Sequence, residues 1–220
     1  MNHFFQPNNP IMRFLSKFCD LMFLNCLFLL SCIPIISTGA AISALYYMVL
    51  KMHRDEEPAI AKGYFRAMKD NFKQATPIWL LLLFLFFFFG LDLYIIYNVI
   101  DPSYNWLQVP VWIIIFILLS ILIYAFPLLS SFESSTGQLL KNSVLLSLGN
   151  IPTTIFIVAI QVFIFYLCLI SSELLVIIGS LALFFGCAAM AYFNALFLGR
   201  IFAKCMENEN KTDKNNMAAD

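Results

Sequence analysis

The chain has 220 residues, 61% of them apolar and 12% charged, with a mean hydropathy of +0.84. Soluble domains carry about 45–50% apolar and about 25% charged residues, so this composition excludes a water-facing globular domain and points to lipid as the solvent. The formal net charge is zero, from 13 basic and 13 acidic residues, but the bases sit in a few blocks separated by long uncharged runs.

Residues 1–10 are polar and contain two prolines, which predicts a disordered tail. From Ile11 to Leu50 the chain is almost wholly apolar, long enough for two crossings at about 20 residues each. Pro34 and Gly39 bracket a turn, so a first helix is expected from about Ile11 to Ile33 and a second from about Gly39 to His53. Arg13 and Lys17, the run Leu21–Ile33 and Ser37-Thr-Gly39 imitate a signal peptide, but cleavage there would strand a short apolar stub, and the stretch reads as a hairpin instead. At about 1.5 Å per residue the second helix reaches only about 23 Å, which leaves open that it re-enters rather than spans.

Residues 51–75 are hydrophilic. Ile60, Tyr64, Phe65, Met68 and Phe72 recur near helical spacing, with Lys62, Arg66, Lys69 and Lys73 on other faces. This predicts a basic amphipathic helix lying in the headgroup plane or facing a partner. Thr76-Pro77 is expected to open the third span, which runs to Ile100, since proline suits a helix's first turn. Asp101 to Trp106 is a turn, and Pro110–Phe132 is a fourth span interrupted at Pro127. A short helix follows at 138–148, carrying Lys141. The fifth span is 151–170 and the sixth runs from Leu174 to about Lys204, with a disordered tail over 205–220.

With the N terminus inside, the inner segments 1–17, 51–75, 133–150 and 200–220 hold all 13 Lys and Arg, and the outer turns hold none. A single bent first helix would place Arg13 and Lys17 opposite the other 11. The positive-inside rule therefore favours an all-α membrane bundle of six helices in three hairpins, five if the second is re-entrant, within one domain over 11–204 and with both termini cytoplasmic.

Polar residues inside such runs are the candidate sites. Asp20 lies one helical turn from Lys17 and reads as its ion-pair partner or as a transport acid; Asp92 sits in the outer third of its span. Asn25, Gln161 and Asn194 lie deeper, where amides bridge helices by hydrogen bonds. Ser37 or Thr38 is placed to cap the second helix. Gly39 and Ser43, and farther on Ala191, Ala195 and Gly199, are spaced four apart and read as packing seams that could meet each other. The six cysteines show no CxxC or ligand spacing and read as small apolar side chains. His3 and His53 are too few and too far apart for a metal site. GxSxG, HExxH and P-loop patterns are missing from the sequence, so no enzyme and no cofactor is expected. The aromatics of the Lys62–Lys73 block share its apolar face, which argues against nucleic acid.

Asp20-x4-Asn25-x8-Pro34-Ile-Ile-Ser-Thr38-Gly39-Ala-Ala-x3-Ala-Leu45-Tyr46-Tyr47, followed by Gly63-Tyr-Phe65-Arg-Ala-Met-Lys69-Asp-Asn71-Phe72-Lys73-Gln74-Ala, resembles the YesL-like family of bacterial integral membrane proteins. Lys141-Asn142 and Asn150-Ile-Pro152 also fit its pattern. The resemblance implies a multi-pass protein of the bacterial cell membrane, encoded beside carbohydrate transporters and their sensors. It implies an accessory or regulatory role in carbohydrate uptake, with such a transporter or sensor as partner, and carries over no catalytic residue. The other expectation is a small-solute transporter or channel lined by Asp20, Asn25 and Thr38.

Overall fold

The computed structural model describes residues 10–54, 59–132 and 135–217; the expected N-terminal tail and Glu133 lie outside them. All regular structure among the described residues is helical: α1 Pro10–Cys32, α2 Thr38–His53, α3 Ile60–Asn98, α4 Gln108–Ser131, α5 Thr136–Gly149, α6 Ile151–Ile170, α7 Ser172–Leu181 and α8 Cys187–Met217. Short 3-10 turns at Ile35–Ser37 and Pro102–Leu107 join α1 to α2 and α3 to α4. Asp101 opens the second of these by accepting a hydrogen bond from the Ser103 N–H at 2.9 Å, which holds its exposed carboxyl below the usual carboxylate range. A π-helical turn, Ala182–Gly186, joins α7 to α8 without a break. By length and composition six of these helical stretches could cross a membrane.

Five helices, α1, α2, α4, α5 and α6, follow the sequence closely. Two prolines and the C-terminal tail do not. Pro77 lies inside α3, which runs unbroken for 39 residues, so the basic amphipathic helix and the third span are one rod of about 58 Å. An interior proline removes one backbone hydrogen bond and crowds the carbonyl four residues earlier. Here Pro77 and Lys73 are both exposed, so water can take up the freed Lys73 carbonyl. Pro127 likewise stays inside α4, where the Ser130 and Ser131 hydroxyls both donate to its carbonyl at 2.7 and 2.9 Å. α8 continues to Met217, past the expected end of the sixth span at about Lys204.

α2 is the hub and touches α1, α3, α4 and α8. Of its apolar window 67% is buried within the protein, against 11–33% for the other five candidate spans. A helix apolar on all sides is buried either in lipid or in protein, and for α2 the protein accounts for most of it. Its main partner is the first half of α3, and the two run antiparallel. Gly39 meets Ala75 and Trp79, the Asn71 amide donates to the Ser43 hydroxyl at 3.0 Å, and Gly63 meets the Met48 sulfur. The Trp79 indole N–H closes the top of this seam on the Ile35 carbonyl at 2.9 Å. Of the expected apolar face of this segment, Tyr64 is buried on the α2 side together with Ala67 and Ala75, while Phe65 and Phe72 stay exposed. The basic residues stand at the level of α2.

The expected cap on α2 is replaced by a different bond. Ser37 accepts nothing from the α2 N terminus; its hydroxyl donates to the Ser31 and Pro34 carbonyls at 2.6 and 2.9 Å. Carbonyls at the end of α1 have no helical partner, and a donor there meets a need that an acceptor cannot.

Candidate functional site

The polar side chains that the fold buries are collected at helix contacts. Foremost is Asn25 on α1, which is fully buried. Its Nδ2 donates to the carbonyls of Ala182 and Leu183 at 3.0 and 2.9 Å. Its Oδ1 accepts from the Ala188 N–H at 3.0 Å. These three backbone groups belong to the π turn and the first turn of α8. A π turn widens the helix by one residue and misaligns its backbone bonds, and in an apolar setting the freed groups must find partners within the protein. One side chain supplies all three. Because the extra residue rotates everything downstream by about 100°, Asn25 also sets the phase at which α8 meets α2.

That phase is read at Asn194, whose amide donates to the Tyr46 hydroxyl on α2 at 3.2 Å, both residues being buried. On the far side of α2, Asn71 holds Ser43 as described. A third link joins the α4–α6 side, where the Tyr124 and Thr154 hydroxyls lie 2.9 Å apart and Thr154 also donates to the Ser147 carbonyl at 3.0 Å.

The other expected residues separate from this set. Asp20 and Lys17 are both half-buried on α1, and each has an interaction partner. Thr38 is half-buried as the first residue of α2, Asp92 is half-buried in the apolar half of α3, and Gln161 is half-buried on α6. Gly39 and Ser43 meet α3, at Ala75, Trp79 and Asn71, while α2 also touches α8. Ala191 and Ala195 are buried, whereas a Cβ on Gly199 would meet nothing within 4 Å, so the α8 stripe is not a close-approach surface along its whole length. Lys62, Arg66, Lys69 and Lys73 are all exposed. Among the described residues no group of His, Cys, Asp or Glu could hold a metal ion.

The π turn was not legible in the sequence: Ala182-Leu-Phe-Phe-Gly186 has the composition of any apolar span. The only available signal was Asn25 itself, an amide in a run of leucines and phenylalanines that had to bond to something. Asn71 and Trp79 carried no comparable signal, because Asn71 lies among other polar residues and Trp79 opens an apolar run in which a large side chain is ordinary.

No curated protein and no solved structure matches the chain. A family described as "Protein of unknown function, DUF624" matches residues 21–93, the unit of α1, α2 and α3 that contains Asn25, Gly39, Ser43, Asn71 and Trp79.

Proposed function

We propose that the chain is a non-catalytic membrane protein that acts as an accessory or regulatory component of carbohydrate uptake, with a transporter or membrane sensor as its partner. The supporting observation is the way its interior polar groups are spent. Asn25, Asn194, Tyr46, Ser43 and Asn71 bond to one another or to backbone, as suits a rigid scaffold, while a cluster of cations is left exposed. The link to carbohydrate rests on the YesL-like resemblance. The distribution of Lys and Arg supports a bacterial cell-membrane location with both termini cytoplasmic.

A small-solute transporter is the second reading. The π turn favours it, because interrupted helices line the sites of many transporters, but the three bonds of Asn25 occupy the groups that would receive a solute. Two measurements separate the readings. Deleting the protein should lower uptake of labelled sugar by the cell several-fold, while the purified protein in liposomes should move no sugar. Sugar flux into those liposomes would overturn the accessory reading, and unchanged uptake by every sugar tried would overturn the link to carbohydrate.

A further inference from the structure

On α3, Lys62, Arg66, Lys69 and Lys73 follow the spacing i, i+4, i+7, i+11, which places them in one narrow stripe. The stripe lies opposite Tyr64, Ala67, Asn71 and Ala75, the residues that face α2. It is about 17 Å long. Along one flank run Phe65 and Phe72, 54% and 39% exposed. Among the described residues, Asp70 lies 3.8 Å from Arg66 in a pair whose side chains are 65% and 84% exposed, too solvated to neutralise the stripe.

We infer that this stripe is a docking face for an acidic amphipathic helix of a partner protein, the acids pairing with the four cations and an apolar edge covering Phe65 and Phe72. The proposal rests on the accessory reading and names the chemistry of the partner. Charge and length argue for it together. A bilayer's headgroup layer is only about 5–8 Å deep on each side. α3 is one continuous rod, so Lys62 lies about 24 Å along the axis from Ile78, where the apolar half begins. Even at a tilt of about 40°, the upper end of the usual range, that is about 18 Å from the hydrocarbon edge. Lys73 can reach headgroups; Lys62 and Arg66 cannot. A helix lying along α3 reaches all four. Acids at the same spacing, with apolar residues beside them, complement the stripe in charge and in period.

The test places a photo-crosslinking benzoyl-phenylalanine at Phe65 in the full chain, in native membranes, and sequences the adduct. The expected adduct is a protein segment with Asp or Glu at helical spacing. Its yield should fall about tenfold or more in the double variant K62E/K69E and fall as salt rises. Thermal stability of the purified variant, expected to be unchanged because both positions are exposed, separates lost docking from lost folding. Adducts with lipid alone, with a basic or unpatterned segment, or in unchanged yield after charge reversal overturn the proposal. The identity of the adduct judges the carbohydrate reading separately: an acidic helix from a protein unrelated to uptake would sink that reading and leave the docking face standing.

Discussion

Replacing Gly39 by alanine should destabilise the protein by about 3 kcal/mol, measured by thermal or denaturant unfolding in detergent, and by leucine more. The reason is local. A Cβ at residue 39 would fall 2.5 Å from the Cβ of Trp79 and 2.8 Å from the Ala75 carbonyl oxygen. Neither atom is at the free end of a flexible side chain, so α2 must move away from α3. That movement pulls Ile35 from the Trp79 indole and Ser43 from Asn71, and the whole seam is lost together. Gly199→Ala provides the comparison within the same protein. Nothing lies within 4 Å of its added Cβ, so the change should be neutral or stabilising by up to about 1 kcal/mol, through the better helix propensity of alanine. Equal effects at the two glycines would show that close approach is not what position 39 provides.

Asn25→Leu is expected to cost about 3–5 kcal/mol. It keeps the side-chain volume roughly constant and leaves two carbonyls and one N–H without partners, at about 1–3 kcal/mol for each buried group. Measured hydrogen bonds between membrane helices set the lower part of this range. The π turn can also relax to regular α-helix, and the rotation that follows would move Asn194 away from Tyr46.

The parts of this structure that the sequence showed are those set by near neighbours. Length and hydropathy placed α1, α2, α5 and α6 almost to the residue, because a helix's existence depends on a run of local choices. The small residues at Gly39 and Ser43 correctly indicated a close seam. They did not indicate its partner: spacing of four is the same on α2 and α8, and the choice of α3 is made by Trp79, Ala75 and Asn71, between 28 and 40 positions farther along the chain. Pro77 was misplaced for a related reason. A proline ends a helix unless its surroundings can satisfy the carbonyl it frees, and exposure at Lys73 and Pro77 is a tertiary fact. The basic segment was recognised as an amphipathic helix, but its apolar face was assigned whole to lipid, whereas Tyr64 is buried on the α2 side and Phe65 and Phe72 stay exposed. Of the candidate site, Asn25 and Asn194 were singled out as helix-bridging amides. Their partners, a π turn and a tyrosine hydroxyl, lie 148 to 163 positions away.

The pairing of α2 with the basic half of α3 carries the most weight, because it decides what the apolar second helix is for. Lys62, Arg66, Lys69 and Lys73 are exposed on the half of α3 that α2 covers, where each would cost about 2.5–3.5 kcal/mol at bilayer depth, and the same contact buries most of α2 in protein. Paired cysteines test this most directly. In a background without the six native cysteines, cysteines at Ser43 and Asn71 should form a disulfide in native membranes under mild oxidation, and a cysteine at Ser43 should fail to cross-link with one at Phe88 in the apolar half of α3. Cross-linking of Ser43 to Phe88 in place of Asn71 would put α2 beside the apolar half of α3 and contradict the account.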